Sequence, residues 1–312
     1  MERSFRLPSS RDGTPVHVME WSPENRQPKA LLQISHGVAE HIARYAPFAR
    51  YMSEQGFVVF GNDHLGHGQT AGSPQEVGHV ADQNGWTYLV DDMLSLMRQE
   101  RAQYPDLPLF LLGHSMGSFL ARTLVIRYPK EPLAGLVLTG TAHMPPVVSL
   151  FGQALFSVVR MFRGGRSLPV RLDRMIFSGY NKKFEPARTT RDWLTRDTDV
   201  VDAYVSDPLC GFTISTASYQ ELMKGLHEIA GKGRIRKMDP ALPILIAFGS
   251  SDTVGACGSG PREVARRFAE VGITQMETIL YPDARHEILN ETCRVQVYSD
   301  ILRWLEARLA KG

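Results

Sequence analysis

The chain has 312 residues, of which 43% are hydrophobic and 22% are charged, a composition that is typical of a folded globular protein and excludes a disordered one. Its 35 basic residues against 33 acidic ones leave a formal net charge of +2, which gives no general electrostatic reason to bind nucleic acid. The three cysteines are odd in number and form no C-x-x-C pair, so they predict neither a disulfide framework nor a zinc knuckle.

Short apolar runs alternate with helical patterns along the chain. The alternating run 16–21 predicts a strand of an antiparallel hairpin that turns at Asp12-Gly13. Continuous apolar runs predict strands covered on both faces, at 30–35, 56–62, 109–112, 135–140, 244–249 and 276–281. Helical candidates lie between them, at about 44–55, 85–102, 116–128, 261–271 and 291–310. This alternation predicts an α/β fold with a mostly parallel central sheet flanked by helices.

One interval interrupts this rhythm. After the run 135–140, no buried strand follows for roughly a hundred residues, which is far longer than an ordinary connection. We therefore predict a core made of residues 1–141 and 239–312, with an inserted helical cap at 142–238.

Within the predicted cap, an apolar stripe runs from Phe151 to Phe162 at helical spacing, beside Arg160, Arg163 and Arg166. Two interpretations of this stripe stay open. It packs over a substrate tunnel, or it makes a weak peripheral contact with a membrane surface.

A strand, a sharp turn and a helix meet at residues 109–124. The turn reads Gly113-His114-Ser115-Met116-Gly117, and its two glycines let strand and helix approach closely while Ser115 projects outward. The helix N-terminus supplies unpaired N–H groups beside that hydroxyl. This arrangement predicts a nucleophilic serine suited to acyl transfer, the alternative being an ordinary turn in which Ser115 only caps the helix.

A serine nucleophile needs a base and an acid, and both candidates follow later strands. Asp252 comes directly after the run 244–249, and His286 comes after the run 276–281. Taken singly, Asp252 could be a turn residue and His286 a surface or capping residue. The order Ser115, Asp252, His286 is the one expected of an α/β-hydrolase.

The negative charge that develops on the substrate carbonyl oxygen needs backbone donors. We expect one from the N–H of Met116, at the start of the helix after the turn. We expect the other from the N–H of Val38, where Gly37 permits a close approach after the strand 30–35.

Three segments resemble one branch of the α/β-hydrolases, that of the monoacylglycerol lipases and lysophospholipases. They are residues 36–45 (HGVAEHIARY), 63–68 (DHLGHG) and 113–117 (GHSMG). The resemblance covers about two-thirds of the chain and implies the same nucleophile, acid, base and oxyanion donors, and a helical cap. We expect the enzyme to need neither a cofactor nor a metal. One departure is Thr253, where the family often has proline, which leaves the conformation of the acid loop open.

The sequence therefore predicts a serine ester hydrolase whose partner is a small-molecule ester with an apolar acyl group, such as a monoacylglycerol. The main alternative is a peptidase or amidase of the same fold, with Glu185 or Glu221 in the cap holding a substrate amine. Less favoured alternatives are a non-catalytic receptor and a metallohydrolase, the latter using His36, His41, His64 and His67. We interpret Cys210 as a small buried apolar group.

The sequence gives general expectations for the cellular location and the partners of the protein. The cysteine pattern favours a reducing cytoplasm, with a peripheral membrane contact as the alternative noted above. The N-terminal sequence shows no apolar signal segment, and the apolar runs are far shorter than the ~20 residues of a membrane span. We expect no nucleic-acid partner, and the sequence leaves the oligomeric state open.

Overall fold

The computed structural model describes residues 1–310, so the last two residues of the predicted core segment 239–312 lie outside the described part. Its strands form a single sheet in the order β1-β2-β4-β3-β5-β6-β7-β8. They are β1 (Glu2–Pro8), β2 (Pro15–Trp21), β3 (Ala30–Ser35), β4 (Phe57–Asn62), β5 (Leu109–His114), β6 (Gly135–Thr139), β7 (Ile244–Gly249) and β8 (Met276–Tyr281).

The sheet is parallel from β4 to β8, and the hairpin of β1 and β2 adds an antiparallel edge next to β4. The hairpin turns where the sequence predicts it, at Gly13, whose φ of 77° is a left-handed conformation that glycine adopts readily. Strands β3 to β7 are buried along their whole lengths, because helices cover both faces. The predicted α/β-hydrolase fold class is confirmed.

Two helical layers sandwich the sheet. Helices α1 and α10 cover one face, and α2, α3 and α9 cover the other. The helices are α1 (Ala46–Glu54), α2 (Gly85–Gln103), α3 (Met116–Arg127), α4 (Pro146–Arg163), α5 (Val170–Asn181), α6 (Thr198–Ser206), α7 (Thr216–Ala230), α8 (Lys232–Ile235), α9 (Ser259–Glu270) and α10 (Arg294–Leu309). No helix formed by residues 1–310 has both the length and the apolarity that crossing a membrane needs.

Five helices, α4 to α8, occupy the long connection between β6 and β7. Helices α4 and α7 pack against each other, with the rings of Phe156 and Tyr219 stacked at a centroid distance of 4.7 Å. The far end of the connection joins the core, because Leu226, Ile229 and Ile235 belong to the same apolar cluster as α2 and α3.

Two details differ from the sequence predictions. Strand β8 is an edge strand, and Thr278 and Leu280 on it are exposed, so its apolar run does not mark burial on both faces. On α4, Phe151 and Phe162 are 71% and 77% exposed, whereas Phe156 is buried. Most of the predicted stripe therefore lies on the outer face of α4, and packing over a tunnel accounts for only part of it.

Candidate active site

Ser115 forms a strained turn between β5 and α3. Its φ of 52° and ψ of −121° lie in a region that side-chain-bearing residues rarely adopt. A Cβ on Gly117 would lie 2.0 Å from the Ser35 carbonyl oxygen, and a Cβ on Gly113 would lie 2.5 Å from the Gly117 carbonyl oxygen. Glycine is therefore required at both positions, and the turn leaves the Ser115 side chain half-buried at the wall of a cavity.

His286 and Asp252 lie on the loops that follow β8 and β7. The Nδ1 atom of His286 is 3.0 Å from Oδ1 of Asp252, and both side chains are buried. The same carboxylate oxygen accepts the N–H groups of Val254 and Gly255 at 2.9 and 3.2 Å. Because an ionised carboxylate only accepts, Nδ1 carries the proton and Nε2 of His286 is left as the acceptor.

The pair is electrostatically matched. Burial disfavours the charged form of His286, but the carboxylate of Asp252, helped by those of Glu287 and Glu40, outweighs burial and raises the pKa of the imidazole above its ordinary value. Burial likewise disfavours an ionised Asp252, but His286 and the backbone donors outweigh burial and lower the pKa of the carboxyl. Asp252 is thus held ionised beside an imidazole that accepts a proton more readily than usual.

Ser115 and His286 line the same cavity. Within residues 1–310, no hydrogen bond links the Ser115 hydroxyl to Nε2 of His286, so the structure forms the acid–base pair and leaves the hydroxyl unbonded. Hydrogen bonds to a nucleophile commonly tighten only when substrate is present.

The two residues expected to supply the oxyanion donors line the same cavity as Ser115. Val38 and Met116 both line the cavity, and neither N–H donates a hydrogen bond among residues 1–310. Met116 is the first residue of α3, so its N–H has no preceding helical turn to bond. The loop of Val38 runs beside the turn, since a Cβ on Gly37 would lie only 3.2 Å from Cβ of Ser115.

His114, the residue before Ser115, contacts both β6 and His286. Its Nδ1 atom is 3.1 Å from Oγ1 of Thr139, and its ring centroid is 4.8 Å from that of His286. Burial and the neighbouring His286 lower the pKa of His114 to about 4, so it is neutral near pH 7. Gly140, with a φ of 55°, leaves room for both imidazoles, because a Cβ there would lie 2.8 Å from each ring.

The cavity holds about 520 Å³ and is mostly apolar. Its floor is the turn at Ser115, and its walls come from α4, α5 and α7, including Leu155, Phe156 and Met223. One acidic side chain from these helices, Asp173, also lines it, is buried, and accepts a hydrogen bond from the Tyr219 hydroxyl. Such a space suits an apolar chain, and Asp173 is the one acidic group that α4, α5 and α7 contribute to its wall.

A buried ionic network that the sequence did not reveal connects the loops around the site. Arg44 donates to Glu40 at 2.5 Å and forms a two-pronged pair with Glu287 at 2.8 and 2.6 Å. Glu40 in turn accepts the Gly37 N–H at 2.5 Å and the Tyr45 hydroxyl at 2.8 Å. The network therefore joins the loop of Val38 to Glu287, the residue that follows His286. Arg44 and Glu287 are 243 positions apart in the sequence.

The helical connection between β6 and β7 also bonds to the loop of Val38 and to the acid loop of Asp252. The carbonyl oxygen of Ala39, a residue with a φ of 55°, accepts the Gly211 N–H and the Tyr204 hydroxyl, both at 2.9 Å. On the acid loop, the Thr253 hydroxyl donates to the Tyr180 carbonyl oxygen at 2.9 Å. The threonine that departs from the family pattern thus gives the acid loop a bond that proline could not make.

The histidines considered as metal ligands are largely held by local hydrogen bonds. His36 Nδ1 lies 2.7 Å from the Gly37 carbonyl oxygen, and its Nε2 accepts the His64 N–H at 3.0 Å. His67 Nδ1 lies 3.0 Å from the Leu65 carbonyl oxygen. Burial lowers the pKa of all three imidazoles. Among residues 1–310, they do not form a group with metal-binding spacing.

The acidic residues considered for amine binding lie outside the cavity. Glu185 is exposed, while Glu221 is buried and bonds the Trp86 N–H and the Lys224 ammonium. Neither lines the cavity, nor does Cys210. Among the cavity-lining residues of the helical connection, Asp173 is the carboxylate that the sequence did not reveal, because its burial depends on how α5 packs against α7.

Known proteins resemble this chain over most of its length. The family model described as Hydrolase_4, serine aminopeptidase, S33, matches residues 26–293. The monoglyceride lipase of Homo sapiens is 29% identical over 306 residues, which are 96% of this chain and 89% of that protein. The monoacylglycerol lipase of Mycolicibacterium smegmatis is 27% identical and covers 93% of this chain and 92% of its own.

Among solved structures, the similarity is also close. A highly thermostable carboxyl esterase from Bacillus coagulans, solved in complex with glycerol, superposes with a TM-score of 0.91. It is 28% identical, and the superposition covers 99% of both chains.

Proposed function

Since the chain belongs to the serine aminopeptidase S33 family, on the branch of the α/β-hydrolases that includes the monoglyceride lipases, we propose that it is a serine ester hydrolase. Its substrate is a carboxylic ester with a substantial apolar acyl group, such as a monoacylglycerol. The observation that carries the proposal is the bond of 3.0 Å between His286 and Asp252 at the wall of an apolar cavity that Ser115 shares.

The reaction uses side chains and backbone alone. Ser115 Oγ attacks the ester carbonyl carbon while Nε2 of His286 takes the hydroxyl proton, and Asp252 stabilises the imidazolium. The N–H groups of Val38 and Met116 bind the oxyanion. His286 then protonates the leaving alcohol. In the second half, His286 takes a proton from water as the water oxygen attacks the acyl carbon, the bond from that carbon to Ser115 Oγ breaks, and His286 returns the proton to Oγ.

The cavity supports the choice of an apolar acyl group. Its walls of leucine, phenylalanine and methionine remove an alkyl chain from water, which stabilises binding by roughly 0.8 kcal/mol for each buried methylene. We propose that residues 142–238 form the cap over this cavity and residues 1–141 and 239–312 form the core, because α4, α5 and α7 supply the walls and the sheet supplies the reacting groups.

A hydrolysis panel tests the proposal. It compares monoacylglycerols from acetyl to oleoyl, a lysophospholipid and a simple alkyl ester, using the purified full chain. We expect kcat/KM to rise with acyl length on glycerol, and Ser115→Ala to lower kcat by roughly 10⁶-fold with unchanged circular dichroism. The matched control is Ser4→Ala, an exposed serine on β1, which should leave kcat unchanged. Ester hydrolysis that survives Ser115→Ala would refute the mechanism.

Asp173 favours one second candidate, an aminopeptidase-like amidase. A buried carboxylate at the cavity wall could hold the ammonium group of an aminoacyl substrate. An aminoacyl anilide added to the panel separates the two activities. If the anilide is the better substrate and Asp173→Asn raises its KM at least tenfold, the amidase is the correct assignment.

We also propose a weak peripheral contact between α4 and a lipid surface. The outer face of α4 exposes Val147, Leu150, Phe151, Met161 and Phe162, and Arg160 and Arg163 lie in its last turn. An amphipathic basic helix of this kind can lie in the headgroup region of a bilayer. Because Phe151 also lines the cavity, such a contact would bring the cavity wall to the source of an apolar substrate.

A further inference from the structure

Three side chains of different chemistry meet beside the loop of Val38. A ring nitrogen of His41, a carboxylate oxygen of Asp207 and the sulfur of Cys210 all lie within 4.8 Å of one another. Nε2 of His41 and Oδ2 of Asp207 are 2.8 Å apart. We propose that these three residues bind a zinc ion that links the loop of Val38 to the helical connection.

The donor set suits zinc. A thiolate, an imidazole and a carboxylate together match its borderline-soft character, and four-coordinate zinc with bonds of about 2.0 to 2.3 Å separates its ligand atoms by about 3.3 to 3.8 Å. His41 Nε2 and Asp207 Oδ2 are closer than this, at 2.8 Å, and the sulfur lies within 4.8 Å of a ligand atom on each of these residues, so binding an ion needs side-chain rotations that replace the His41–Asp207 hydrogen bond with two bonds to the metal. The Asp207 side chain is 30% exposed, which gives the ion a path from solvent and leaves room for a water as fourth ligand.

The surrounding charge also favours a cation. The charges near the Cys210 thiol are three carboxylates, those of Glu40, Asp207 and Glu287, and two guanidiniums, those of Arg44 and of Arg191, which donates to the Gly211 carbonyl oxygen at 3.0 Å. This excess of negative charge lies in a half-buried region, where solvent screens it only in part. As zinc binds, the Zn–S bond replaces the S–H bond and the thiol proton leaves to solvent.

The proposed ligands lie next to a hydrogen bond that already joins the loop of Val38 to the segment between α6 and α7. His41 follows Ala39 by two residues, and Cys210 directly precedes Gly211, whose N–H bonds the Ala39 carbonyl oxygen at 2.9 Å. A zinc ion at this point would hold the loop of Val38 against the connection between α6 and α7. The inference stands on these residues alone and does not rest on the proposed ester hydrolysis.

Cobalt substitution tests the site without measuring activity. The full chain, reduced and freed of metal with a chelator, is titrated with Co²⁺ and then with Zn²⁺ while near-ultraviolet absorption is recorded. We expect one cobalt per chain with a thiolate-to-cobalt charge-transfer band that zinc removes. Cys210→Ser should abolish the band, and His41→Gln should weaken cobalt binding at least about tenfold. The control Cys257→Ser removes an exposed cysteine and should leave the band unchanged.

Several results would overturn the inference. They are the absence of a thiolate band in the parent chain, a band that persists in Cys210→Ser, and a band that Cys257→Ser removes instead. Circular dichroism verifies that each variant is folded. If Cys210→Ser or His41→Gln is not folded, Asp207→Asn, which keeps the side-chain shape, is measured in its place. Unchanged cobalt affinity in a folded Asp207→Asn would also contradict the site.

Discussion

The backbone of Ser115 is strained because its neighbours leave it no alternative. A left-handed conformation of this kind costs roughly 1–3 kcal/mol in a residue with a side chain. The close approach of Gly117 to the Ser35 carbonyl oxygen fixes α3 against the end of β3, and the strand and helix hold the turn between them. The strain turns the hydroxyl toward the cavity and away from the start of the helix, where it would otherwise cap N–H groups.

We expect Gly117→Ala to lower the free energy of unfolding by at least about 2 kcal/mol and to abolish ester hydrolysis, because the added Cβ would meet backbone that cannot rotate away. The matched control is Gly233→Ala in α8, where a Cβ meets nothing within 4 Å. It should raise the free energy of unfolding by up to about 1 kcal/mol. Urea unfolding of both variants measures the difference, and equal stabilities would contradict this explanation of the turn.

The raised pKa of His286 sets the acid limit of activity. The imidazole must be neutral to act as base, so kcat/KM should fall tenfold per pH unit as the pH drops below that pKa, with a midpoint above the ordinary value of about 6.5. Asp252→Asn removes the charge that raises the pKa, so the midpoint should move to lower pH and kcat should fall by roughly 10⁴-fold. A pH–rate profile of both proteins tests this, and a parent midpoint well below pH 6 would contradict it.

At the scale of elements, the site depends on loops that leave different strands and meet at one edge of the sheet. The loop after β3 carries Val38, and the loop after β8 carries His286 and Glu287. Arg44 joins them with three hydrogen bonds, and its side chain is only 10% exposed. Burial opposes its charge, but Glu287 and Glu40 outweigh burial and raise the pKa of Arg44 well above its ordinary value.

We expect Arg44→Met to lower the free energy of unfolding by about 3–5 kcal/mol, since it leaves the buried carboxylates of Glu40 and Glu287 without their positive counter-charge. Arg50→Met is the control, because Arg50 is 60% exposed and its pair with Glu2 should contribute at most about 1 kcal/mol. Denaturant unfolding compares them. Similar losses in the two variants would show that the network does not hold the loops together.

For the molecule as a whole, the sequence predicted the features that depend on residues close together in the chain. Unbroken apolar runs predicted β3 to β7, and the glycines around Ser115 predicted its turn, because burial and backbone freedom are properties of the residues themselves. Position after a strand placed Asp252 and His286 on neighbouring loops, since parallel strands end at one edge of a sheet. The exposure of β8 was missed, because edge position depends on the order of strands and not on one run of letters.

Contacts between distant segments lay beyond sequence reasoning. Arg44 and Glu287, or Ala39 and Tyr204, become neighbours only through the packing of whole elements. The sequence likewise left open what the apolar stripe of α4 contacts, because periodicity identifies such a stripe but not what covers it.

The exposed apolar face of α4 gives a prediction for the whole molecule. The parent chain should co-sediment with vesicles that contain anionic lipid, and Phe162→Ser should reduce the bound fraction severalfold without changing the hydrolysis of a short soluble ester. Val295→Ser is the control, because Val295 is a 73% exposed apolar residue on α10. If the parent chain stays in the supernatant, or if Val295→Ser has the same effect as Phe162→Ser, the lipid contact is excluded.

The most direct test of the catalytic assignment is covalent labelling with a fluorophosphonate, followed by peptide mapping. We predict one label per chain, on Ser115, with ester hydrolysis lost in proportion to labelling. His286→Ala should slow labelling by at least about 10²-fold, because no base then takes the hydroxyl proton. Loss of activity with the label on another residue, or full activity in a chain completely labelled on Ser115, would contradict the account.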